Sequence, residues 1–191
     1  REHPLRYTQD PDGPVKPQYV IEELHRLTGG DAILVSGVGQ HQMWASQYWK
    51  FDSPRRWINS GGLGTMGFGI PAAVGAKAGM PDELVIPGDG DGCFQMTSQE
   101  LITAAVEGLP IKVVVFNNGV HGMVTQWQRL FYEDRFSASR LGDAVDYVKL
   151  AEAMGCHGFR ATTPDEVTPT LEKALSTNDR PVVIEVVVDP A

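Results

Sequence analysis

Residues 111–116 read Ile-Lys-Val-Val-Val-Phe, an apolar run broken only by Lys112 and stopped by Asn117-Asn118. Successive side chains of a strand point to opposite faces, so such a run needs apolar cover on both. That confines it to the interior of a sheet with helices on each side. Similar runs recur at 32–38, 84–86 and 182–188. Between them lie segments of helical period. Val20, Ile21, Leu24 and Leu27 share one face of a helix that begins at Pro17 and stops at Gly29-Gly30. Further helices are expected over 41–49, 70–78, 97–106, 123–131 and 145–154, and another after Thr163. Thr97-Ser98-Gln99-Glu100 and Thr163-Pro164-Asp165-Glu166 both have the capping-box form. The alternation predicts an α/β fold, a doubly wound parallel sheet with helices on both faces.

A chain of 191 residues is expected to hold one such domain over 17–191. Residues 1–16 are charged and proline-containing and read as a linker or extended segment. With no methionine start, the chain is expected to be a piece of a longer protein. The net charge of −8 comes without any Lys/Arg-rich block, which argues against nucleic-acid or anionic-membrane partners. No apolar run reaches the ~18–20 residues of a membrane span. Cys93 and Cys156 form no metal-spaced pattern, so reduced thiols in a cytoplasmic protein are expected.

In parallel sheets, ligands sit beyond the carboxyl ends of the strands. Three polar, glycine-bearing loops fall there: after Val38, after Ile86 and after Phe116. Gly90-Asp91-Gly92 follows one strand, and Asn118 ends the next. A carboxylate and an amide oxygen form a hard pair suited to Mg2+. Gly90 and Gly92 would let the backbone approach a phosphate and adopt turn conformations that other residues resist. An isolated Gly-Asp-Gly is more often a plain tight turn; the pairing with Asn117-Asn118 is what raises it above that. Asp89 and Asp91 are overlapping candidates.

The paired motif resembles the signature of thiamine diphosphate enzymes, and within them the C-terminal, cofactor-binding part of acetolactate synthases. Gly37-Val38-Gly39-Gln40-His41-Gln42-Met43-Trp44-Ala45 is similar to that family's diphosphate-holding segment. Ser60 to Gly69 resembles the loop carrying a methionine beneath the cofactor. Gly122-Met123-Val124, Gln126-Trp127 and Phe131-Tyr132 resemble its active-site helix. The likeness runs from about Leu5 to Asp189.

The resemblance implies Asp91, Asn118 and the backbone carbonyl of Val120 as Mg2+ ligands, with Asp89 structural. It implies diphosphate hydrogen bonds from Gln40 and His41, assisted by amides near Gly92 and Cys93, and cofactor binding at Val38, Gly39 and Gly90. Gly64, His121, Gly122 and Met123 would complete the cofactor site, with Met66 wedged between the cofactor's rings. Met123 and Trp127 would line a pocket for a 2-keto acid. The implied activity condenses pyruvate with a second 2-keto acid, pyruvate or 2-ketobutyrate, with loss of CO2, an entry step to branched-chain amino acids. The family's activating glutamate lies on an N-terminal domain of the neighbouring subunit, and FAD belongs to a middle domain. A homodimer, and in some members a regulatory subunit, are therefore implied partners, and this segment alone is expected to be inactive. Other thiamine diphosphate enzymes (pyruvate oxidase, glyoxylate carboligase, 2-keto acid decarboxylase) and a non-catalytic cofactor-binding domain are the alternatives.

Overall fold

The computed structural model describes residues 5–190. Six strands, β1 (Ile33–Ser36), β2 (Trp57–Ile58), β3 (Val85–Gly90), β4 (Lys112–Asn117), β5 (His157–Ala161) and β6 (Val182–Val187), form one sheet of order β2-β1-β3-β4-β6-β5. Every pairing is parallel. Among the described residues eight α-helices accompany them, with a 3-10 turn at Gly61–Leu63: α1 (Pro17–Thr28), α2 (Gln40–Tyr48), α3 (Gly69–Gly79), α4 (Asp91–Thr97), α5 (Glu100–Val106), α6 (Gly122–Phe131), α7 (Tyr147–Ala153) and α8 (Pro164–Ser176).

The apolar strands are covered as their sequence demands. Leu34, Ile86, Val114 and Ile184 face Val20, Ile21 and Leu24 of α1 and Val167 and Leu171 of α8. Their neighbours Ile33, Val85, Val113, Val115 and Val183 face Ile70 of α3, Phe94 of α4, Leu101 of α5 and Ala151 of α7. Fully burying each such side chain contributes about 1.5–3 kcal/mol. Lys112 is equally buried, because its Nζ donates to the Thr177 carbonyl. Burial, with Lys77 nearby, pushes its ammonium down to about 8. Val15 is also buried and pairs with Val188, and Lys16 forms an ion pair with Asp189.

Three elements differ from the sequence expectation. β2 is two residues long, and β5 reads His-Gly-Phe-Arg-Ala; both are sheet edges, half covered and so without an apolar run. The box at Thr97–Glu100 does not form. Thr97 ends α4, and its hydroxyl donates to the Gly67 carbonyl at 2.8 Å, while α5 starts at Glu100 behind an uncapped Gln99. A hydroxyl with a tertiary acceptor has no need of a local amide. At the head of α8, by contrast, the Glu166 carboxylate accepts from the amides of Thr162 (2.7 Å) and Thr163 (3.3 Å).

Candidate functional site

The chain leaves β1 toward β2 and leaves β3 toward β4 on the other side. The strand order therefore reverses between β1 and β3, and a crevice opens beyond their carboxyl ends. A cleft of about 460 Å³ lies there. Val38, Gly39, Gln40, His41, Met66, Gly90, Asp91, Gly92, Cys93, Asn118, Val120, His121, Gly122 and Met123 all line it. Loops after four strands, with Met66 from the one after β2, thus bring together almost every residue singled out in the sequence. Gly64 is exposed and lies outside the cleft, as does Trp127, which is 55% exposed on α6 and packs on Phe131. Trp44, Phe116 and Val124 also line the cleft and were not singled out. Trp44 had a readable signal, standing one helical turn after Gln40.

Asp91 is not in a turn. β3 ends at Gly90 and α4 begins at Asp91, so strand passes directly into helix. Gly90 has an ordinary φ of −74°, and Gly92 is absent from the positive-φ positions. The expected turn conformations are therefore not what makes these residues glycine. A Cβ on Gly90 would lie 3.0 Å from the His41 ring, and one on Gly92 would lie 2.7 Å from the His121 ring. Both positions are small so that two imidazoles can close on the backbone.

The Asp91 carboxylate is 2% exposed. Its Oδ1 accepts from the Gly92 amide at 2.8 Å and its Oδ2 from the Gly119 amide at 2.7 Å. Burial raises its pKa, and the two amides oppose that rise. Gly119 has φ +69°, the left-handed conformation that lets the chain turn between Asn118 and Val120. Asn118 Oδ1 accepts from the Val120 amide at 3.2 Å. The loop is braced from outside: His121 N donates to Ser139 O and Leu141 N to Gly119 O, each at 2.8 Å. The Ser139 hydroxyl is in turn held by Gln128 of α6 at 2.7 Å.

Gln40 packs against this loop, its Oε1 2.0 Å from where a Cβ on Gly122 would lie, and its Nε2 donates to Gln126 Oε1 at 3.1 Å. Gln40 Oε1 and His41 Nε2 are buried and find no hydrogen-bond partner among the described residues. Burial pushes His41 down to about 4, so the ring is neutral at neutral pH. A buried carboxylate and, in the same cleft, an imidazole nitrogen with no partner fit a cation bridged to an anionic group. Asn118 supplies a second hard oxygen.

Asp89, two residues before Asp91, is fully buried and absent from the cleft wall. Neither oxygen makes a hydrogen bond of ordinary geometry, though the Gly37 amide is close enough to favour the charged form slightly. Burial pushes its carboxyl up to about 7. Asp89, His41 and Cys93 each place a titratable atom within 4.8 Å of the other two. Between about pH 4 and 7 the folded chain keeps a proton on Asp89 that the unfolded chain has released, so stability falls as pH rises. His41 acts in reverse: the unfolded chain takes up a proton below about 6.5, so stability falls as pH drops toward 4. Asp89→Asn should remove the first slope alone. Raising the pH from 5 to 7.5 should then stabilise the variant relative to the parent by about 3 kcal/mol in urea unfolding. Parallel pH profiles would show that Asp89 ionises normally.

The family described as thiamine pyrophosphate enzyme, C-terminal TPP binding domain, matches residues 37–186, well over half the chain. The chain belongs to this family. The matched span opens at the loop carrying Val38 to His41 and includes the loops carrying Asp91 and Asn118. Among its relatives, the acetolactate synthase large subunit of Corynebacterium glutamicum is 56% identical over 189 residues, covering 97% of this chain and 30% of the relative. Acetolactate synthase isozyme 3 large subunit of Escherichia coli is 52% identical over 177 residues, 92% of this chain and 31% of the relative. The mitochondrial acetolactate synthase catalytic subunit of Saccharomyces cerevisiae is 47% identical over 193 residues, 99% and 28%. This TPP-binding domain thus spans about three tenths of the length of the curated relatives it matches. None of its described helices is long and apolar enough to cross a membrane.

Proposed function

We propose that this domain holds the diphosphate end of thiamine diphosphate through Mg2+, as the C-terminal part of an acetolactate synthase catalytic subunit. The observation that carries the reading is a single cleft that holds the buried Asp91 carboxylate and Asn118 together with His41, whose buried Nε2 has no hydrogen-bond partner among the described residues, and Gln40, whose Nε2 donates to Gln126 at 3.1 Å. Asp91, Asn118 and the Val120 carbonyl would hold the metal. Gln40, through its amide N–H, and neutral His41 would donate to diphosphate oxygens. Met66, at the cleft wall, would support the rings. When bound, the cofactor supplies carbanion chemistry at its thiazolium ring.

This chain's own residues bind, orient and exclude water. Burial raises the Asp91 pKa, so metal uptake favours the ionised carboxylate and becomes stronger as pH rises. In this reading the substrates are pyruvate and a second 2-keto acid. Met123 lines the cleft, while Trp127, exposed on α6, would line a substrate pocket together with parts of the enzyme beyond this domain. An N-terminal domain whose glutamate serves the neighbouring subunit's site and an FAD-binding middle region would occupy the remaining length of the relatives.

Calorimetric titration of thiamine diphosphate, with Mg2+ and then with chelator, tests the site. Binding that requires Mg2+ supports it; equal binding in chelator contradicts it. Product analysis of the full-length enzyme on pyruvate tests the reaction. Acetolactate is expected, and acetyl phosphate or free aldehyde would redirect the reading to another thiamine diphosphate enzyme.

A further inference from the structure

The loop that carries Asn118 is anchored from behind by a buried carboxylate on a different strand. Glu185 of β6 is 3% exposed and pairs with Val115 of β4 on one side and Arg160 of β5 on the other. Its Oε1 accepts from Asn117 Nδ2 at 2.7 Å, and its Oε2 from Arg160 Nε at 2.7 Å. Arg160 also donates to Asp146 Oδ1 at 2.7 Å, and Asp146 accepts from the Lys149 amide at the head of α7. Glu185 is thereby charge-paired, and its position is fixed from two strands and a helix.

The consequence falls on Asn117. An amide side chain has one donor end and one acceptor end. With Nδ2 committed to Glu185, Oδ1 must point the other way, and it accepts from the Gly119 amide at 3.2 Å. That same amide donates to Asp91 Oδ2 at 2.7 Å. A chain of contacts therefore runs from Glu185 through Asn117 and Gly119 to the Asp91 carboxylate, and it sets the loop on which Asn118 and Val120 sit. We propose that Glu185 is a positioning residue for the Mg2+ site: it touches neither metal nor cofactor and acts through Asn117 on the Asp91–Asn118 pair. This rests on the reading of that pair as the metal site. Groups that orient metal ligands from behind are worth ~10–100-fold in metal affinity.

A merely structural Glu185 would hold β4, β6 and β5 together and move stability alone. The test is therefore Mg2+ affinity in the presence of thiamine diphosphate, measured on the full-length protein beside urea stability. Glu185→Ala should weaken Mg2+ binding by ~10-fold or more, and Asn117→Ala by a similar factor. Because the two act in series, the double variant should bind no worse than the weaker single variant. Glu185→Gln cannot accept from both Asn117 and Arg160; it should show a smaller loss of the same kind and carries the test if Glu185→Ala does not fold. Unchanged Mg2+ affinity in the Glu185 variants, or losses that multiply in the double variant, would overturn the proposal while leaving the metal site standing. A parent protein that binds cofactor equally without Mg2+ would overturn the metal site itself.

Discussion

Asp91→Ala is expected to lower the affinity for thiamine diphosphate in Mg2+ by on the order of 100-fold, about 2.7 kcal/mol. The substitution removes one of two side-chain oxygens proposed for the metal. It also releases the Gly92 and Gly119 amides that the carboxylate holds at 2.8 and 2.7 Å. Gly119 connects to Asn118, so the second ligand loses its support together with the first. Asp91→Asn keeps an acceptor without the charge and should fall between parent and alanine. Calorimetry with Mg2+ and with chelator reads the loss, and a urea melt of the cofactor-free protein separates it from unfolding. Burial already raises the pKa of Asp91, so removing that charge relieves a cost in the empty domain that partly offsets the lost hydrogen bonds. Parent-like, Mg2+-dependent binding by Asp91→Ala would move the metal elsewhere, with Asp89 the next carboxylate to examine.

Gly69→Ala should destabilise the fold although it places a better helix former in α3. Propensity alone would favour alanine by about 0.8–1 kcal/mol. The added Cβ, however, would lie 2.4 and 2.6 Å from the two Asp89 oxygens. That carboxyl cannot swing away, since on its other side a Cβ at Gly37 would lie 2.1 Å from Oδ1. Two glycines, one after β1 and one at the head of α3, make the slot in which a fully buried carboxyl fits. Overpacking of this kind costs roughly 1–3 kcal/mol; with a rigid carboxyl pinned between two glycines the cost falls at the upper end, and after the propensity gain the net loss should be about 2 kcal/mol in urea unfolding. Asp89→Ala should remove most of that penalty when combined with Gly69→Ala. Additive losses in the double variant would place the strain elsewhere.

The layer architecture was legible because β4 and β6 are apolar on both faces, and only a sheet covered twice can bury them. The cleft was legible because the loops carrying Asp91 and Asn118 directly follow apolar strands. Paired edges and long-range contacts were not. β5 carries Arg160 and Gly158 where a buried strand would carry apolar residues, so nothing in its composition announces a strand. Gly90 and Gly92 suggested turns, yet what fixes them is the approach of His41 and His121, which are distant in sequence. Asn117 and Glu185 are 68 residues apart, and neither residue type alone predicts the other. Trp127 belonged to a matched helix, but helix membership does not say which face turns outward, and it stands 55% exposed.

The strand order also sets a timetable for synthesis. β4 lies between β3 and β6, and β5 pairs with β6 alone, yet β6 follows every other described strand in the sequence and is made after them. About 70 residues separate the end of β4 at Asn117 from the end of β6 at Val187. At ~5–20 residues per second that leaves the apolar edge of β4 unpaired for roughly 4–14 s on each nascent chain. Val15 waits longer still, because its partner is Val188. Slow translation through α7 to α8, or shortage of a chaperone that shields strand edges, should therefore reduce the yield of folded protein more than any loss of final stability would suggest.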